Sequence, residues 1–100
     1  MANATTQKAV NALYSRQDCK IGSNTEVVTY DGVTHLQLHN SSVAKLDRNG
    51  QLFITSAGYE TRTTKERLNG LPGVQVCQKD WTWYLNDKVW HNSSDWIAIK

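Results

Sequence analysis

Hydrophobic positions along the chain follow two periods. In residues 5–16 they recur at helical spacing. Ala9, Val10, Leu13 and Tyr14 make a narrow apolar stripe, and Thr5 or Thr6 is placed to cap the first turn. A helix of about three turns needs tertiary contacts to persist. Residues 17–25 are polar and carry Gly22, Ser23 and Asn24, which predicts a loop. From Glu26 the period drops to two. Residues 26–30 and 33–38 flank Asp31-Gly32, a pair that favours a two-residue type I′ turn. That turn sets Tyr30 opposite Val33, Val28 opposite His35 and Val27 opposite Leu36. Val27, Thr29, Thr34, Leu36 and Leu38 then form the core face; Val28, Tyr30, Val33, His35 and His39 form a half-wet one.

Asn40-Ser41-Ser42 predicts a turn into residues 43–46, and Asp47-Arg48-Asn49-Gly50 another before residues 51–55. A two-residue loop would set Leu46 against Phe53. A three-residue loop with Gly50 left-handed pairs Leu46 with Leu52 and Ala44 with Ile54, and only this register keeps the apolar residues on one face. The period then returns to helical. Thr63-Thr64-Lys65-Glu66 fits a capping box, with Thr63 accepting from an orphan amide and Glu66 reaching back. Gly70 and Pro72 stop this helix, and Leu71 supplies the accompanying hydrophobic contact. Thr64, Leu68 and Leu71 share one face, which leaves Lys65, Glu66, Arg67 and Asn69 to solvent or a partner.

The last third alternates again. A turn at Lys79-Asp80 sets Val76 opposite Trp83 and Val74 opposite Leu85. Asn86-Asp87 turns into residues 88–90 and brings Trp90 beside Trp83, and residues 96–99 make a closing strand. The pattern is α+β: one domain over residues 1–100, a twisted antiparallel sheet of hairpins with an N-terminal helix and one short central helix.

Composition narrows the chemistry. Eleven Lys and Arg against nine Asp and Glu give a net charge of +2, too weak to argue for nucleic acid on electrostatics alone. No apolar run opens the chain, so neither a signal peptide nor a membrane span is expected. Cys19 and Cys77 are then expected as free thiols in a reducing cytosol, with no zinc spacing around them. His35 and His39 lie at i and i+4 on a predicted strand, roughly 13 Å apart by strand rise, too far for one metal ion. No nucleophile elbow, phosphate loop or paired-carboxylate motif occurs, so neither enzyme activity nor a cofactor is expected.

Two features remain. Arg62, Lys65 and Arg67 stand with Glu60 and Glu66 in a dense mixed-charge patch. Tyr59, Trp81, Trp83, Tyr84, Trp90 and Trp96 form an aromatic set, in which Trp83 and Trp90 belong to the core and Trp81 lies beside a turn. A solvated helix face and a tryptophan-filled sheet account for much of this. The remainder suits a contact surface, because arginine forks and exposed indoles anchor partners.

The stretch from Ser56 to Pro72, Ser-Ala-Gly-Tyr-Glu-Thr-Arg-Thr-Thr-Lys-Glu-Arg-Leu-Asn-Gly-Leu-Pro, is followed by Val76-Cys-Gln-Lys79 and Trp83-Tyr-Leu85. Together they resemble small uncharacterised proteins of tailed bacteriophages, and the resemblance covers about residues 26–90. It implies a phage accessory protein acting in the bacterial host cytoplasm, a class that often binds and blocks host or defence machinery, anti-CRISPR proteins among them. The expected function is a non-enzymatic inhibitor whose contact residues are Arg62, Lys65, Glu66, Arg67, Asn69, Lys79 and Trp81. The alternatives are a single-stranded nucleic-acid binder using Trp81 and Tyr84, and a minor virion component.

Overall fold

The computed structural model describes residues 4–99. Helix α1 (Ala4–Ser15) is followed by β1 (Cys19–Ile21), β2 (Thr25–Tyr30), β3 (Val33–Leu38), β4 (Ser41–Leu46) and β5 (Leu52–Ile54). Helix α2 (Arg62–Leu68) then leads to β6 (Val76–Lys79), β7 (Thr82–Leu85), β8 (Lys88–Val89) and β9 (Ile97–Ile99). The fold is α+β with antiparallel pairing throughout. The strands form two sheets, one of six in the order β1-β2-β3-β4-β5-β9 and one of three in the order β6-β7-β8.

Local chemistry sets the large sheet. Asp31 and Gly32 are both left-handed (φ 54° and 77°), and β2 pairs β3 with Tyr30 opposite Val33 and Val27 opposite Leu36. Gly50 is left-handed at φ 84°, and Leu46 meets Leu52 while Ala44 meets Ile54. Both registers agree with the sequence pattern. The turn into β4 is His39-Asn40 (φ 52° and 68°) rather than Asn40 to Ser42, which places His39 off the strand.

Two expectations at the N-terminus are corrected. Helix α1 begins at Ala4, so Thr5 and Thr6 lie within it; Thr6 is fully buried and accepts a hydrogen bond from Arg67. The buried stripe is Thr6, Ala9, Ala12 and Leu13, with Tyr14 turned out to solvent. Residues 19–21 are a strand rather than part of a loop. Gly22, at φ 64°, lets the chain double back so that Ile21 pairs with Thr25 and Cys19 with Val27.

The inner face of the large sheet packs Val27, Leu36, Ala44, Leu46, Leu52 and Ile54 against α1 and α2 in one cluster. Val76, Trp83, Leu85 and Trp90 of the small sheet join that cluster, with the two indole rings 6.2 Å apart. Helix α1 crosses β1 to β4, and α2 touches α1, β4 and β6, so α2 links the two sheets. The opposite face of the large sheet carries no fully buried side chain: Val28, His35, Lys45, Phe53 and Ala98 form one cross-strand row of partly exposed groups.

Candidate functional site

Helix α2 starts earlier than the capping box predicts. Thr61 is the N-cap, its Oγ1 accepting from the Thr64 amide at 3.2 Å and sharing a hydrogen bond with Thr64 Oγ1 at 3.1 Å. Thr63 lies inside the first turn, and Glu66 does not reach back to cap. The earlier start turns Thr64, Arg67 and Leu68 inward together. The loop before the helix is tied down by a buried pair of hydroxyls. Ser56 Oγ and Ser93 Oγ lie 2.9 Å apart, and Ser93 Oγ donates to Glu60 Oε2 at 2.6 Å.

Arg67 is therefore not a surface residue. It is 5% exposed, with Nε donating to Thr25 Oγ1 at 3.3 Å and a terminal nitrogen donating to Thr6 Oγ1 at 2.9 Å. It joins α2 to β2 and α1, and Glu66 is its carboxylate neighbour at 3.9 Å. The spacing Thr64, Arg67, Leu68, Leu71 held this signal, since Arg67 falls on the same helical stripe as the apolar pair. Its charge masked its position.

Arg62, Lys65, Glu66 and Asn69 stay on the outer side of α2 and line an open groove of about 400 Å³ with Val76, Cys77 and Gln78. Lys65 Nζ donates to Gln78 Oε1 at 3.4 Å and stands 5.9 Å from the Trp83 ring centroid. Asn69 reaches across the groove: its Nδ2 donates to the Val76 carbonyl at 2.9 Å, and the Val76 amide donates to its Oδ1 at 2.6 Å. A side-chain amide thus takes the place of a neighbouring strand at this edge of β6.

Beyond the groove the chain turns at Asp80-Trp81, one residue later than the sequence pattern suggests. Both residues are left-handed (φ 51° and 69°), Lys79 closes the turn opposite Thr82, and Val76 pairs with Leu85 rather than Trp83. A shift of two in the partner keeps every residue on its face, which is why Val76, Trp83 and Leu85 still reach the core. Two distant amides hold the observed register. Asn69 fixes Val76, and Asn86 fixes the residues before it, accepting from the Gln75 amide at 2.8 Å and donating to the Gly73 carbonyl at 3.0 Å.

The consequence is an indole at the tip of the hairpin. Trp81 is 89% exposed. Lys79 lies beside it on β6 and faces a separate shallow depression with Cys77, Tyr84 and Asp87. Of the sequence-predicted contact residues, four share the groove, Lys79 and Trp81 occupy the hairpin end, and Arg67 is inside.

His35 is engaged elsewhere, and His39 and His91 are exposed. The His35 ring stacks on Tyr30 with centroids 4.9 Å apart, and its Nδ1 lies 2.9 Å from Ser42 Oγ. Burial, then the nearby Lys45 charge, lowers its pKa, which keeps the ring neutral at pH 7. Both cysteines are free and exposed. Among the described residues no helix is long and apolar enough to cross a membrane.

Residues 2–99 match the model of a family of phage proteins described as Kyanoviridae Gp96 protein. The chain belongs to that family. The match takes in α1 and the closing strand β9, both of which lie outside the span of the resemblance read from residues 26–90. No curated protein and no solved structure matches the chain. Membership of the Gp96 family therefore supplies a phage setting, and the surface chemistry has to supply the rest.

Proposed function

We propose that this phage protein is a non-enzymatic accessory factor that acts in the host cytoplasm by binding and inhibiting a host or bacterial defence protein, in the manner of an anti-CRISPR protein. Its contact surface is the outer side of α2, from Arg62 to Asn69, together with the β6–β7 hairpin end at Lys79 and Trp81. The observation that supports this reading is Trp81. A large ring that is 89% exposed contributes little to the fold, and its left-handed backbone costs roughly 1 kcal/mol or more. Exposed indoles on rigid supports are typical anchors of protein interfaces.

The adjoining charges favour a protein over a polyanion. With Arg67 inside the fold, the groove carries Arg62 and Lys65 beside Glu66, a nearly balanced set suited to complementary side chains on a partner. The test is capture from bacterial lysate with the tagged protein. Trp81→Ala and Arg62→Glu/Lys65→Glu variants with native circular dichroism should each lose the captured protein. Undiminished capture by both, or no protein retained by the wild type, would refute the proposal. Arg67 is not a useful position for this test, because its substitution disturbs the junction of α1, β2 and α2.

A further inference from the structure

The outward face of the six-stranded sheet is organised around one lysine. Lys45 sits at the middle of the row Val28, His35, Lys45, Phe53, Ala98, one residue per strand from β2 to β9. Its ammonium lies 4.3 Å from the Trp96 ring centroid and 5.4 Å from that of Phe53. On its other side His35 is stacked on Tyr30 at an interplanar angle of 11°. Tyr30 lies on β2 and Trp96 beside β9, four strand spacings or roughly 19 Å apart along the sheet, with Lys45 on β4 between them.

Three properties say what such a face fits. Its rings are open: Tyr30 is 57% exposed and Trp96 39%. The cation is not neutralised, since among the described residues no carboxylate pairs with Lys45, and rings alone hold it in place. The neighbouring imidazole is uncharged at neutral pH and so serves as a flat support behind Tyr30. At the edges of the face, Arg48 lies against the β2–β3 turn, donating to the Asp31 carbonyl at 2.7 Å, and Lys20 stands opposite Glu26 on β1. Open rings on either side of an unpaired ammonium match the bases and phosphates of an extended strand laid across the sheet. The α2 groove, where Arg62 and Lys65 stand beside Glu66, suits a protein partner instead.

We propose that this face binds single-stranded nucleic acid along the sheet, with Tyr30 and Trp96 stacking on bases several nucleotides apart and Lys45 contacting a phosphate between them. The site is separate from the α2 surface and independent of that surface's role.

The probes are fluorescein-labelled twelve-residue oligo-dT and oligo-rU, followed by anisotropy at low salt. Wild-type protein should bind. Tyr30→Ala should weaken binding about tenfold, and Trp96→Leu, which keeps volume while removing the indole face, by a similar factor. Lys45→Arg should bind as the wild type, and Lys45→Glu should lose binding. The logarithm of affinity should fall with the logarithm of salt at about −0.7 per phosphate contacted. The Arg62→Glu/Lys65→Glu variant should bind the oligonucleotides unchanged, which separates this result from that of the capture experiment. The proposal is overturned by no anisotropy change at about 100 µM protein, a concentration that detects even weak non-specific binding. Full binding by a natively folded Lys45→Glu variant would overturn it too. So would a Tyr30-dependent dimer in sedimentation equilibrium that excludes the oligonucleotide, which would assign the face to a second copy of the chain.

Discussion

The β2–β3 and β6–β7 hairpins share one turn geometry and reach it with different residue types. In the first, Asp31-Gly32 has the residue types the turn prefers and the register agrees with them, while Arg16 and Arg48 add bonds to the Gly32 and Asp31 carbonyls at 3.1 and 2.7 Å. In the second, Trp81 occupies the position that Gly32 fills in the first, a site that β-carbon sterics disfavour. There the register is imposed from outside, by Asn69 on Val76 and by Asn86 on Gln75 and Gly73. The second turn sets an exposed indole at a left-handed position that its residue type does not favour.

The largest effect should come from removing the external hold. Asn69→Ala breaks two hydrogen bonds to Val76 and should cost about 2 kcal/mol by urea denaturation, with amide exchange accelerating first in β6. Full protection of β6 in this variant would mean that the hairpin fixes its own register. Next comes the internal hold. Gly32→Val places a branched side chain at φ 77°, where its Cβ would meet the Arg48 side chain at 2.8 Å; stability should fall by about 1–2 kcal/mol in thermal melts.

The same position in the second hairpin should respond with the opposite sign. Trp81→Gly relieves the left-handed strain and should leave stability equal or raise it by up to about 1 kcal/mol, read as an unchanged or higher Tm. The smallest effect concerns pH. His35 on β3 has a folded pKa below its ordinary 6.5, so protonation favours the unfolded chain. Its contribution is complete above about pH 6.5 and declines as pH falls through that value toward the folded pKa. His35→Gln should flatten this part of the stability–pH curve, while the β6–β7 hairpin, which contains no histidine, should not contribute to it.

The contrast also explains which parts of the structure were legible in the sequence. The β2–β3 and β4–β5 registers were readable because Gly32 and Gly50 state the turn locally and the apolar alternation agrees with it. The β6–β7 register was not, because Asn69 and Asn86 act from outside the turn and nothing local marks Trp81 as a left-handed residue. Strand β1 was read as loop because it has three residues, with Lys20 at its centre. The N-cap was misplaced because Thr63 and Glu66 match the box spacing while the caged loop at Ser56 and Ser93 starts the helix at Thr61. Of the candidate contact residues, Arg67 was lost to the core although its helical spacing already placed it there. The open face around Lys45 was recognisable only as a half-wet alternation, since Trp96 reaches it from the segment just before β9, far away in sequence.

The central claim is that Trp81 serves a partner and not the fold. Trp81→Gly tests both halves at once when its melting temperature and its capture of protein from bacterial lysate are measured on the same preparation. The account predicts a Tm at or above that of the wild type and loss of the captured protein. A lowered Tm with capture intact would contradict it.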